Sequence, residues 1–119
     1  MSLRILLVDD NLDAVSLLAK LLSRHDCEVR FTCAPQDALE IAAEFHPEAI
    51  CLDIGMPVID GYTLAQSLRQ IDGLEQCRII AVSGHPPDRE RLDKAGIEMH
   101  LLKPVAASVL VDALSGAAS

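Results

Sequence analysis

Short apolar runs alternate along this chain with stretches where apolar residues recur every three or four positions. Leu3 to Val8 is apolar apart from Arg4 and reads as a buried strand. Leu12, Val15, Leu18 and Leu22, with Leu17 and Leu21 widening the stripe, predict a helix. Cys27 to Thr32 alternates, Val29 and Phe31 against Glu28 and Arg30, as an edge strand with one solvated face does. Pro35 suits a first helical position, Ala38, Ile41, Ala42 and Phe45 form the next stripe, and Pro47 ends it. Ala49 to Leu52 is a third buried strand, and the loop from Asp53 to Asp60 carries Gly55 and Pro57. Gly61 opens a helix with Leu64, Leu68 and Ile71 inward, broken at Asp72-Gly73. Ile79 to Val82 reads as a fourth strand, Asp88 to Ala95 as a short charged helix, and Ile97 to Leu102 as a fifth strand. Pro104 is expected to start a last helix with Ala106, Val109, Leu110 and Ala113 inward.

Strand and helix thus alternate through five units. That predicts an α/β fold, (βα)5, with a doubly wound parallel sheet covered on both faces. Crossovers are right-handed. An edge-like second strand beside buried first, third and fourth strands favours the order 2-1-3-4-5. One domain over residues 1–119 is expected, with no linker and a small-residue tail from Ser115 to Ser119.

Composition narrows the function classes. A net charge of −8 argues against direct nucleic-acid binding, which calls for a basic patch. No run is long and apolar enough to span a membrane, and the N-terminus lacks the pattern of a signal peptide, so a cytoplasmic protein is expected. Cys27, Cys33, Cys51 and Cys77 form no CxxC pair and read as small buried hydrophobes in a reducing compartment. No His or Cys stands at ligand spacing from another, so a zinc site has little support.

The chemistry collects at the strand ends. In an open parallel sheet, ligands bind outside the carboxyl ends of the strands. The first strand ends in Asp9-Asp10, the third in Asp53, the fourth in Ser83 and the fifth in Lys103. Two unit charges about 4 Å apart repel by roughly 4 kcal/mol at an effective dielectric of about 20. Crowded carboxylates therefore hold a proton or a cation. Oxygen ligands with room for water suit Mg²⁺ (or Mn²⁺). A phosphoryl group arriving there would meet a cation, an ammonium and a hydroxyl, and a carboxylate can serve as its acceptor. Taken singly, Asp-Asp before a helix is usually a cap, Asp53 a turn residue, Ser83 a loop hydroxyl and Lys103 a surface charge; their convergence points to a site.

Val8-Asp9-Asp10-Asn11, Leu52-Asp53-Ile54-Gly55-Met56-Pro57 with Asp60-Gly61, Ser83-Gly84 and Leu102-Lys103-Pro104 together resemble the receiver domain of two-component response regulators. The resemblance covers essentially the whole chain and implies a flavodoxin-like, CheY-like fold. It implies Asp53 as phosphoacceptor, a metal shell of Asp10, Asp53 and the Gly55 carbonyl, and Asp9 acting through a water. Ser83 would bond the phosphoryl oxygen, Lys103 would pair with it, and the Lys103–Pro104 bond would be cis. Gly55 and His85 stand where receivers tune the lifetime of the acyl phosphate. The implied partners are a histidine kinase or a histidine phosphotransfer protein, together with an output domain or target; a phosphorylation-dependent dimer is compatible with such a domain. Such a module is no enzyme beyond its own phosphoryl transfer and autodephosphorylation.

The chain departs from the family at His100, where receivers usually carry Phe or Tyr; the expectation is a two-position switch with weaker preference for the inward pocket. The charged helix from Asp88 to Ala95 is expected to be the most mobile and part of the signalling face. Other readings are a degenerate receiver used as a scaffold, a haloacid dehalogenase-like phosphohydrolase, which would need DxD where Asp9-Asp10-Asn11 stands, and a flavin-binding domain, which would need a phosphate cradle after the first strand.

Overall fold

The computed structural model describes residues 3–55 and 60–115. The elements follow as β1 (Leu3–Val8), α1 (Leu12–Ser23), β2 (Cys27–Thr32), α2 (Pro35–Phe45), β3 (Ala49–Asp53), α3 (Gly61–Arg69), β4 (Arg78–Ser83), α4 (Arg89–Lys94), β5 (Met99–Leu102) and α5 (Ala107–Ser115). The strands pair in parallel in the order β2-β1-β3-β4-β5, the order expected from the pattern. Pro57 and the tail beyond Ser115 lie outside the described residues.

Strand pleating divides the core into two layers. Leu6, Ile50, Leu52 and Ile79 face one side, where Ala38 and Ala42 of α2, Leu64 and Leu68 of α3 and Leu92 of α4 cover them. Ile5, Leu7, Cys51 and Ile80 face the other, against Val15 and Leu22 of α1 and Leu110 and Leu114 of α5. Each fully buried Leu or Ile contributes roughly 1.5–3 kcal/mol through water exclusion. β3 is buried along its whole length, whereas β2 is an edge strand whose alternation holds only in part: Glu28 and Arg30 face solvent and Val29 is half-buried, but Phe31, expected on the covered face beside Val29, is exposed.

Several boundaries and faces differ from the expectation. On α1 the buried positions are Val15, Ala19 and Leu22, while Leu12 and Leu17 stay more than half exposed; the small Ala19 lets the helix lie close to the sheet. α3 ends at Arg69, and Ile71 packs against the core from the turn beyond it. The Arg69 guanidinium holds that turn by donating to the carbonyls of Leu74 and Cys77. β5 starts at Met99, because the Ile97 amide bonds back to the Leu92 carbonyl and closes α4 first. α5 starts at Ala107, because the Lys103 amide still bonds the Ser83 carbonyl and the chain must turn before the first helical bond, Leu110 to Ala106. Its inward residues are Leu110, Ala113 and Leu114, with Ala106 and Val109 exposed. Of the cysteines only Cys51 and Cys77 are buried; Cys27 is half-buried and Cys33 exposed, because Cys33 follows the last residue of an edge strand.

Candidate functional site

Residues at the carboxyl ends of β1, β3, β4 and β5 meet at one rim, as strand order and register require. Asp53 ends β3 with its side chain nearly buried, 8% exposed, while Asp9 just beyond β1 is 14% exposed. Carboxylate oxygens of Asp9, Asp10 and Asp53 lie within 4.8 Å of one another. The Lys103 ammonium donates to Asp53 Oδ2 at 3.1 Å and to Asp9 Oδ2 at 3.3 Å. Asp53 Oδ1 accepts from the Gly55 amide at 2.8 Å, and Asp9 Oδ1 from the Asn11 amide at 3.0 Å. Partial burial alone would push the Lys103 ammonium down. Its hydrogen bonds and charge contacts with Asp53 and Asp9 outweigh that and hold it above the ordinary lysine value. Burial pushes the nearby Cys51 thiol up to about 12, so it stays an inert core group.

Backbone shape opens the space in front of Asp53. A Cβ at Gly55 would sit 3.3 Å from Asp53 Oδ1 and 4.0 Å from Ser83 Cβ, so both side chains flank the same room. At Gly61 a Cβ would lie 2.6 Å from the Ile54 Cα, a clash that only glycine avoids where α3 starts against the loop. The Lys103–Pro104 peptide is cis.

Ser83 is buried at the end of β4 and its hydroxyl donates to the His85 carbonyl at 2.7 Å. The His100 ring, from β5, places Nε2 2.7 Å from the same Ser83 oxygen. Desolvation, with the Arg89 guanidinium adding to it, holds the His100 pKa below the usual imidazole value. The His85 side chain is exposed, and its backbone carbonyl is the group bonded to Ser83.

The rim thus brings together Asp9, Asp10, Asp53, Gly55, Ser83, Lys103 and His100. Sequence reasoning missed the Ser83–His100 hydrogen bond, since neither residue type announces a partner across strands. It also missed a bracket between α3 and α4. Arg91 pairs with Asp60, its guanidinium sits 4.3 Å over the Tyr62 ring, and the Tyr62 hydroxyl accepts from the Asp88 amide at 2.9 Å. Asp60 before Gly61 was readable as a helix cap, and its carboxylate accepts from the Tyr62 amide at 2.9 Å. An apolar cavity of about 610 Å³, lined by Val15, Leu17, Leu18, Pro104 and Val105 among others, opens beside Asp9 and Lys103.

A family model described as the response regulator receiver domain matches residues 5–115. The chain belongs to that family. Among curated receiver-containing relatives, the transcriptional regulatory protein PrrA of Mycobacterium tuberculosis is 34% identical over 108 residues, 91% of this chain and 46% of that protein. The chain therefore spans about half the length of that relative. It matches nearly the whole of the polar-differentiation response regulator DivK of Brucella ovis, at 27% identity over 96% of this chain and 94% of DivK. The fold is that of the Vibrio cholerae chemotaxis protein CheY4, at TM-score 0.90 with 20% identity over 98% of each chain. A Burkholderia pseudomallei response regulator, solved with a phosphorylated aspartic acid, a calcium ion and citrate, superposes at TM-score 0.86 with 25% identity over 95% of this chain and 66% of that one. Receiver domains act as phosphoacceptor switches in two-component signalling and bind Mg²⁺ at an acidic pocket. Among the described residues, no helix is long and apolar enough to cross a membrane.

The donor set here fits such a cation. It is oxygen only, which suits a hard divalent ion, and Lys103 offsets one of the three negative charges.

Proposed function

We propose that this receiver domain accepts a phosphoryl group on Asp53 from the phosphohistidine of a histidine kinase or a histidine phosphotransfer protein. The observation that carries the reading is the position of Asp53. It is nearly buried, hydrogen-bonded to Lys103 and Gly55, and grouped with Asp9 and Asp10. The carboxylates of Asp9, Asp10 and Asp53 and the Gly55 carbonyl would hold Mg²⁺ or Mn²⁺, Asp9 through a water. When bound, the cation neutralises charge that develops on the transferring phosphoryl oxygens.

The chain's own groups do the rest. Asp53 attacks phosphorus with one carboxylate oxygen, and the phosphorus–nitrogen bond to the donor imidazole breaks as the new phosphorus–oxygen bond forms. Lys103, already bonded to Asp53, stays close enough to pair with a phosphoryl oxygen on the product. Ser83, across Gly55 from Asp53, turns its hydroxyl proton toward another. Asn11 and Gly55 amides fix the carboxylates in place, so little reorganisation accompanies transfer. Gly55 and His85, two residues beyond Asp53 and Ser83, stand at the positions where receivers tune how fast water hydrolyses the acyl phosphate, and are proposed to do so here. The apolar cavity between α1 and the Pro104 segment suits docking of the donor beside the acceptor. The activity is self-directed, and the output passes to a further domain or a target protein.

Incubation with acetyl phosphate and Mg²⁺ followed by intact-mass spectrometry tests this. One added phosphoryl group, absent from Asp53→Asn, is expected; an unmodified wild-type mass would shift the reading to a scaffold receiver.

A further inference from the structure

The Ser83 hydroxyl has a single hydrogen. It is donated to the His85 carbonyl at 2.7 Å. The close approach of His100 Nε2, also 2.7 Å from Ser83 Oγ, must then run the other way, with the ring nitrogen donating and the hydroxyl oxygen accepting. That assigns the imidazole to its Nε2–H form. Burial and Arg89 favour the neutral ring, so its one N–H is the one spent on Ser83.

This arrangement constrains what Ser83 can do when a phosphoryl group occupies Asp53. Ser83 is 4% exposed, so its lone pairs have little water to turn to. His100 occupies one lone pair of the hydroxyl oxygen, and a phosphoryl oxygen can only accept, so the hydroxyl proton is the group that has to move. It points at the His85 carbonyl in the structure seen here and must leave that carbonyl to reach a phosphoryl oxygen. The His100 donor can stay in place through this change, and each bond in the resulting chain, Nε2–H to Oγ and O–H to phosphoryl oxygen, polarises the next. A Phe or Tyr ring at this position would fill the volume without supplying a donor from the Nε2 site.

We propose that His100 is a positioning residue for phosphoryl retention at Asp53, acting as a hydrogen-bond donor that orients the Ser83 hydroxyl rather than as a ring that fills a pocket. The proposal rests on the phosphoacceptor reading of the site. It differs from the switch expected at this position, because it requires the Ser83–His100 bond to persist when the phosphoryl group is present.

Two measurements on the full chain decide it. Long-range ¹H–¹⁵N correlation of the histidine ring at neutral pH should show His100 as the Nε2–H tautomer, both free and with beryllofluoride and Mg²⁺; an Nδ1–H tautomer in the free protein overturns the proposal without any ligand. In beryllofluoride titrations, His100→Phe should bind about fivefold more weakly than wild type, while His100→Gln, whose amide N–H reaches the Nε2 site, should return to within about twofold. Wild-type protein that binds beryllofluoride, with both variants binding equally well, would overturn this inference alone. Wild-type protein that takes none would overturn the reading of the site as well.

Discussion

The two halves of the rim are built differently. Asp53, the proposed acceptor, closes a strand buried along its whole length, and its carboxylate is held from both sides by Lys103 and the Gly55 amide. Ser83 itself ends the buried strand β4, but its partner His100 comes from the outer strand β5, of four residues, and the helix before it, α4, has six residues and buries only Leu92 within its span. The first region is the more fully buried and hydrogen-bonded; the second rests on fewer buried contacts and is expected to open more readily.

Core truncation should separate the two regions most strongly. Ile50→Ala in β3, fully buried, should cost about 3–4 kcal/mol in urea unfolding. Amides of β1 and β3 should then exchange hydrogen only through global opening, and those of α4 through a smaller local one. Protection of α4 equal to that of β3 would remove the contrast.

Next in size is the chemical effect of Lys103. Lys103→Met removes the ammonium bonded to Asp53 and should slow phosphoryl uptake from acetyl phosphate on the order of a hundredfold, measured as the rate of mass gain. A change below a few-fold would place the ammonium outside the reaction.

A smaller effect is expected at the α3–α4 bracket. The Asp60–Arg91 pair is about half exposed on both sides, so Arg91→Ala should cost less than about 1 kcal/mol. Slight burial raises the Asp60 carboxyl, but the Arg91 guanidinium and the Tyr62 amide outweigh it and hold it below the usual aspartate range. A depressed carboxylate pKa stabilises the fold above the unfolded value and loses that contribution as pH falls through the folded one. The stability gap between wild type and Arg91→Ala should therefore close in acid, below about pH 3.9; a gap that grows would contradict the pairing.

The smallest effect is the titration of His100. Its NMR midpoint should fall below about 6.5. Folding favours the neutral ring, so this contribution to stability is intact above that value and is lost as pH falls through the lower, folded one. A midpoint above the ordinary value would mean that an acid, not Arg89, faces the ring.

The same contrast explains what could be read from the chain. Buried strands leave continuous apolar runs, so β1, β3 and β4 and the polar residues that end them were legible, and with them the strand order and the meeting of Asp9, Asp53, Ser83 and Lys103. Local signals failed where long-range bonds decide. The Ser83 carbonyl reaches past β5 to Lys103 and delays α5, which turned the expected inward face away from Val109. Ala19 replaced Leu17 as the buried residue of α1, because periodicity gives the stripe but not how closely the helix lies on the sheet. The Ser83–His100 bond and the Arg91–Tyr62 stacking join residues far apart in sequence, and no spacing rule reports them.

In the proposed reaction the phosphoryl group is taken up by Asp53 and by neither of its two acidic neighbours. Borohydride cleaves an aspartyl phosphate reductively and leaves homoserine at the modified position. Protein treated with acetyl phosphate and Mg²⁺, then reduced, digested and sequenced by mass spectrometry, should carry homoserine at residue 53 alone. Homoserine at Asp9 or Asp10, or none at any position in protein that has gained the phosphoryl mass, would contradict it.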